Sequence, residues 1–465
     1  AMVVHKQEEP TNAEVDNVKL FAKLQSLQAW YKDPNTEEGI KPDIKVQKAI
    51  DTYLYNYEQN PLLVQKEDYL LKVVMMYAHV RVLIGTIDKC LGIMELLRDA
   101  RLMVVDESGQ ARHVDIHMLV GGLRLTQLLL VGDHFQLRPH RQMEVPERCY
   151  DFLNFSVAEH FKRHVVRATL NLVTGYRAHP CITEASSVAV YSGTVMSGLS
   201  ASERAGVTGS NFPLARKGYP VLLLHSEEVA RLLITRSRCN ETQCTLAYEI
   251  LRMLGHTTQG LTVVVNCFYQ GDVNYCLGLF DKEEQAVKRD MGHLKSVTVR
   301  TVDSYIGQEA DVNIIITGQT QETTGAQHVL NQERANVAVT RGRHATIIIG
   351  NVKYLTKEVD GEDHTFKRFV EFALDRAPAL DAGMYEMFIR DLRLNNFSPR
   401  YDADEYQLIS ETGYQYPSKK VDYHMLVSTI IENTRVTKYW PLTMDEVAVR
   451  AAENLEELQL DDNTA

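Results

Sequence analysis

Two carboxylates stand side by side immediately after an apolar run: Leu102-Met103-Val104-Val105 passes straight into Asp106-Glu107-Ser108-Gly109-Gln110. Adjacent acids at the C-terminal end of a buried strand sit where ligands bind on an α/β sheet. In a nucleotide hydrolase the first acid of such a pair holds Mg²⁺, usually through water, and the second polarises the attacking water. Taken alone, the pair is commonplace. A second apolar run, Leu128 to Val131, ends in Gly132-Asp133-His134-Phe135-Gln136-Leu137-Arg138-Pro139. There the glycine permits a tight exit, and Gln136 is placed to contact a γ-phosphate or its water.

The elements that must position these groups follow from the hydropathy pattern. From Val80 short apolar runs alternate with longer mixed segments: 82–84, 102–105 and 128–131, then 221–224, 261–265, 297–302, 312–316 and 346–349. Such runs suit parallel strands buried on both faces. The class is therefore α/β, with two parallel-sheet layers in tandem. Ahead of them, Val15, Val18, Phe21, Leu24, Leu27 and Tyr31 recur at helical spacing, and 44–57 and 62–78 also read as helices, with Pro42 and Pro61 at the breaks. The expected organisation is a polar disordered tail at 1–14, a helical segment at 15–79, an incomplete first α/β domain at 80–165, a second at 166–355, and a helical extension at 356–465. The tail from Asp445 reads as an acidic amphipathic helix.

Length and composition bound the function. The 465 residues, 45% hydrophobic and 24% charged, describe a globular chain of two or three domains. A net charge of −11 repels polyanions on average, so nucleic acid would need a locally basic cleft. Seven unclustered cysteines argue for reduced thiols in a cytoplasmic or nuclear compartment and against structural disulfides. Cys239 and Cys244 lie five apart without a second pair at zinc-ligand spacing, so they read as buried or idle thiols. No apolar run approaches the roughly 18 residues of a membrane span, and no membrane partner is expected.

Three further segments complete a series: Gly175-Tyr176-Arg177-Ala178-His179-Pro180, Thr301-Val302-Asp303-Ser304-Tyr305-Ile306-Gly307-Gln308-Glu309, and Asn336-Val337-Ala338-Val339-Thr340-Arg341-Gly342-Arg343. Five such motifs in this order are hard to obtain by chance. Over roughly residues 80 to 355 the chain resembles superfamily 1 helicases of the up-frameshift type, the branch with the nonsense-mediated-decay helicase and Aquarius. The resemblance implies two RecA-like domains, the first incomplete here, holding ATP and Mg²⁺ between them with nucleic acid running across both. It makes Asp106 the Mg²⁺ contact, Glu107 the catalytic base and Gln136 the phosphate-sensing glutamine. Arg177 and Arg341 resemble the arginines set against the γ-phosphate, whose permanent charge is worth about 10³ to 10⁵ in rate. Glu309 resembles the acid that contacts the ribose. For nucleic acid the similarity points to Thr86, Tyr269, Thr301 and Ser304, groups that bind phosphates without reading sequence. Each hydroxyl alone reads equally well as a turn or helix cap. Gly175, Ile306 and Asp272 depart from the family pattern, where glutamine is usual at all three.

The phosphate loop of that family, Gly-x-x-x-x-Gly-Lys-Ser/Thr, has no counterpart: no Gly-Lys dipeptide occurs in this sequence. Losing three charge-assisted hydrogen bonds of about 1.5 to 3 kcal/mol each weakens nucleotide binding by roughly three to six decades. The intact remaining motifs favour a chain whose loop lies on another segment over a retired ATPase. The expectation is an RNA-dependent ATPase and helicase core acting on single-stranded RNA, DNA being possible, with protein partners. The alternative is a catalytically silent pseudo-helicase scaffold, binding RNA or protein in RNA silencing or decay. His113 with His117, and His160 with His164, are four apart, but each pair lacks a third ligand and reads as exposed. Glu159-His160 does not complete a His-Glu-x-x-His protease pattern.

Overall fold

The computed structural model describes residues 24–36, 44–59, 82–95, 97–139, 155–164, 170–282, 290–321, 327–359, 361, 363–401 and 408–409. The expected disordered tail at 1–14, the helix at 62–78 and the helix from Asp445 lie outside them. Two compact units emerge: residues 1–134 with 138–167, and residues 135–137 with 168–465.

In the first unit, residues 24–32 are helical and α1 (Ile44–Gln59) follows. The Tyr31 hydroxyl and the Gln28 amide both donate to the Asp51 carboxylate, at 2.7 and 2.6 Å. α2 (Ile87–Gly92) is followed by β1 (Leu102–Val105), α3 (His113–Gly122), β2 (Gln127–Leu130) and α4 (Val157–His164). β1 and β2 pair in parallel, Val105 opposite Leu130. Val105, Ala111, Ile116, Leu119 and Val157 form the core beneath them. Two expectations are corrected here. Residues 82–84 form no strand, and Val82 and Ile84 are exposed; among the described residues no strand pairs with this run, and an apolar run without a pairing partner does not become a strand. β1 and β2 are not buried on both faces either, since Leu102 and Leu129 are more than half exposed.

The second unit fulfils the parallel-sheet expectation. It opens with β3 (Thr174–Gly175), α5 (Pro180–Val190) and β4 (Met196–Ser197), then β5 (Val221–His225) and the short ribbon β6 (Arg231–Leu232) and β7 (Arg238–Cys239). α6 (Glu241–Thr257), β8 (Thr262–Cys267), α7 (Gln270–Lys282), β9 (Ser296–Thr301) and β10 (Ala310–Ile316) come next. α8 (Gln332–Val339), β11 (Gly342–Gly350), α9 (Thr365–Leu374), β12 (Leu380–Asp381) and α10 (Ala382–Asn395) complete it. Six strands form one sheet in the order β12-β5-β11-β10-β8-β9, every pairing parallel. Ile314 sits between Val265 and Ile347, and Leu222 lies opposite Ile347. These β-branched and aliphatic side chains are fully buried because helices cover both faces, which is why β5 reads as an unbroken apolar run. α9 and α10 add Phe366, Phe369, Tyr385 and Ile389 to the same core.

Candidate nucleotide and nucleic-acid sites

In the first unit the polypeptide leaves β1 through a tight acidic turn. Asp106 is exposed, and its Oδ1 accepts the Glu107 amide at 3.0 Å. Glu107 takes a left-handed backbone, φ 51°, unusual for a residue with a Cβ. The turn is held against the exit of β2: the Ser108 amide donates to Val131 O at 2.9 Å. A Cβ on Gly109 would lie 2.6 Å from Asp133 O, and one on Gly132 would lie 2.7 Å from the Ser108 amide nitrogen. Both glycines are therefore required by close backbone approach. The result is two carboxylates at the C-terminal edge of a parallel pair, one presenting oxygens to solvent. Thr86 caps α2, its hydroxyl accepting the Lys89 amide at 3.3 Å.

In the second unit, Arg177, Glu309 and Arg341 converge at the N-terminal edge of the sheet. Glu309 immediately precedes β10 and Arg341 immediately precedes β11, so the parallel pairing of those strands sets them side by side. Arg177 Nε donates to Glu309 Oε2 at 2.6 Å, and its Nη1 donates to Thr340 O at 3.3 Å. The Arg177 loop is itself fixed from behind, because Arg204 donates to Arg177 O at 2.7 Å and to Tyr176 O at 3.2 Å. Arg341 is only 1% exposed. Its charge is accommodated by Val337 O at 2.9 Å, Gln308 O at 3.3 Å and the Gln136 side-chain oxygen at 3.2 Å. The segment Phe135–Leu137 belongs to this second unit, which is how Gln136 reaches Arg341. Asn336 additionally donates to Phe135 O at 3.0 Å.

The remaining site residues lie at the opposite, C-terminal edge. Tyr269 follows β8; its hydroxyl donates to Gln319 Oε1 at 2.6 Å, its ring packs 5.1 Å from that of His328, and burial pushes the phenol up to about 12. Thr301 ends β9 and caps the next turn, with its Oγ1 3.0 Å from Ser304 Oγ, and Ser304 Oγ donates to Thr301 O at 2.9 Å. Ser304 is exposed and Thr301 half-buried, and both hydroxyls are engaged in their own turn. One parallel sheet thus separates the arginine cluster from the tyrosine and hydroxyl groups.

Residues 153–353 match the AAA domain family. The chain is 28% identical over 261 residues to the ATP-dependent helicase upf1 of Schizosaccharomyces pombe, covering 55% of this chain and 27% of that protein. It is 30% identical over 268 residues to the regulator of nonsense transcripts 1 of Dictyostelium discoideum, covering 55% and 19%. It is 25% identical over 265 residues to the mouse 5'-3' DNA helicase ZGRF1, covering 55% and 13%. Over these residues the chain is similar to helicases of the up-frameshift type. It spans about a quarter or less of the length of these relatives.

In the second unit Arg343 joins the cluster without being singled out by its motif. It lies two residues after Arg341, with Nη1 3.7 Å from Glu309 Oε1 and Nε 3.7 Å from Asp311 Oδ1, so Glu309 is bracketed by two guanidiniums. The signal was present, since alternate residues of a strand share a face. The bidentate pair from Arg334 to Asp303, at 2.8 and 3.1 Å, was also missed, and it ties α8 to the Thr301 turn. Three of the histidines read as exposed come together in the first unit: His113 is buried, and the rings of His113, His117 and His160 lie 5.2 to 5.6 Å apart. Among the described residues no helix is long and apolar enough to cross a membrane.

Proposed function

We propose that this chain is the helicase core of an RNA-dependent ATPase, coupling ATP hydrolysis to movement along a single strand when a phosphate loop is supplied. The observation that carries the reading is the cluster at one sheet edge, in which Arg177, Glu309, Arg341 and Gln136 arrive from four separate motifs and bond in two pairs, Arg177 to Glu309 and Arg341 to Gln136. Clusters of this kind place fixed positive charge where a phosphoryl group develops negative charge. The residues fit Mg²⁺-ATP: Asp106 is an exposed carboxylate, the hard oxygen ligand that Mg²⁺ takes with water, and Arg177 is half-exposed. Bound Mg²⁺ would neutralise the phosphate oxygens. Glu107 would accept the proton of the attacking water, Gln136 would orient that water, Arg177 and Arg341 would balance the departing charge, and Glu309 would meet the ribose. Thr86, Tyr269, Thr301 and Ser304 would follow the sugar-phosphate backbone of single-stranded RNA or DNA. The first two relatives are named for a helicase and for regulation of nonsense transcripts, which favours RNA, decay factors as protein partners, and the cytoplasm or nucleus.

The absence of Gly-Lys from this sequence favours a second reading, a pseudo-helicase that binds RNA or protein without turnover. One experiment separates the two: RNA-stimulated ATPase activity of this chain beside the full-length gene product, with Glu107→Gln in both. Turnover only in the longer product, lost on substitution, supports the motor. Absence of turnover in both supports the scaffold.

A further inference from the structure

Four cysteines that sequence alone scatters over residues 239–276 meet in the interior of the second unit. Cys239 ends β7, Cys244 lies in the first turns of α6, Cys267 ends β8 and Cys276 lies in α7; none is more than 3% exposed. One carboxylate shares their pocket. Cys239 Sγ, Cys244 Sγ and a carboxylate oxygen of Asp272 all lie within 4.8 Å of one another. Cys244 Sγ is 3.7 Å from Asp272 Oδ1 and is also within hydrogen-bonding reach of Cys276, which lies one helical turn after Asp272 on the same face of α7.

Asp272 is an expensive residue in this position. It is fully buried, and no Lys, Arg or His is paired with it among the described residues. Its Oδ1 accepts the Asn240 amide at 2.7 Å, but Oδ2 has no hydrogen-bond partner. A buried carboxylate without a counter-charge either takes up a proton or binds a cation. Three thiols beside it supply the soft donors that select zinc over magnesium or calcium.

We infer that Cys239, Cys244, Asp272 and Cys276 form a tetrahedral site for one zinc ion. Zn–S bonds of about 2.3 Å put tetrahedral ligand atoms about 3.8 Å apart, so Cys239, Cys244 and Asp272 need to contract by no more than about 1 Å, and Cys276, one turn after Asp272, would move in beside Cys244 to close the fourth position. Binding releases the thiol protons to solvent and leaves three thiolates and the carboxylate on the metal. In sequence the ligands form a Cys-x4-Cys pair and an Asp-x3-Cys pair; only the first is visible to a search for cysteines. The ion would fasten the β7–α6 corner to the start of α7, directly after Tyr269. The two segments already approach closely there, the Gly271 amide donating to Ser237 Oγ at 2.9 Å. This inference does not depend on the chain hydrolysing ATP.

The test is elemental analysis of the full chain, purified without a histidine tag, followed by Co²⁺ titration of the demetallated protein. About one zinc per chain and a cobalt–thiolate charge-transfer band are expected. Asp272→Asn should weaken zinc by at least tenfold and Cys244→Ser more, while Cys267→Ser, outside the four ligands, should retain the metal. A folded wild-type chain that takes up neither zinc nor cobalt overturns the site, even if every variant fails to fold. So does a Cys239→Ser, Cys244→Ser double variant that keeps a full zinc equivalent.

Discussion

Arg177 and Glu309 are separated by 132 positions and joined by a 2.6 Å hydrogen bond from Nε to Oε2. The bond fixes a guanidinium that is still 38% exposed, so the charge is oriented without being used up. Arg341 represents the opposite solution. It is enclosed, and its donors are spent on carbonyl oxygens and on Gln136.

That contrast predicts different behaviour on substitution. In a version of the chain supplied with a phosphate loop, Arg177→Ala and Arg341→Ala should each lower ATP turnover by about 10³-fold or more. Only Arg341→Ala should also lower the melting temperature, because it leaves buried carbonyls unpaired. Unchanged turnover in the Arg341 variant would refute its assignment.

Glu309→Gln removes the charge facing both Arg177 and Arg343. Since these pairs are well exposed, stability should change by less than about 1 kcal/mol. Turnover should fall roughly 10- to 100-fold as Arg177 loses its orientation. Parallel urea titration and steady-state ATPase assays compare the two effects, and a large stability loss with normal turnover would make Glu309 structural.

Gly109→Ala and Gly132→Ala force a Cβ against backbone atoms 2.6 and 2.7 Å away. Each should destabilise the first unit by about 1–3 kcal/mol. Gly121→Ala is the control, because a Cβ there meets nothing within 4 Å and α3 gains a better helix former. Chemical denaturation of the three variants gives the comparison.

Glu371 introduces a pH dependence unrelated to the sites. Burial pushes its carboxyl up to about 7, opposed by Lys367 and reinforced by Asp363 and Glu358, and its Oε1 is buried without a partner. The folded chain holds a proton there that the unfolded chain has released. The contribution is therefore complete below about pH 4.5 and lost as pH rises through 7. The gain in melting temperature from Glu371→Gln should be larger at pH 8 than at pH 5; an equal gain at both would place the titration elsewhere.

His179 works in the other direction. It caps α5 by accepting the Cys181 amide at 3.2 Å, and burial, with His344 nearby, pushes the imidazole down to about 4. The neutral ring is required, so its contribution is present above about pH 6.5 and lost as pH falls from there towards 4. His179→Asn keeps a capping oxygen. Its melting temperature should fall less steeply than that of the parent between pH 7 and 4.5.

The central strands were legible because their burial leaves a mark: the runs at 221–224, 312–316 and 346–349 are all strand interior. The run at 82–84 has the same local appearance but no pairing partner among the described residues. The order of motifs carried the resemblance and predicted which residues to look for, but not their separation onto two sheet edges. The Asp272 pocket was illegible for a related reason. Its ligands come from β7, α6 and α7, and a departure from a family pattern says nothing about which thiols surround it. Arg343 could have been found by counting two residues from Arg341.

The strand order also governs how the second unit is made. β5 is completed early, yet its neighbours in the sheet are β11, which begins only at Gly342, and β12, beginning at Leu380. A ribosome delivering this chain exposes the apolar segment Val221–His225 long before either flanking strand exists. Closing that span is slow compared with pairing adjacent strands. Nascent chains halted between β10 and β11 should accordingly be captured by holdase chaperones, and release should coincide with emergence of β11.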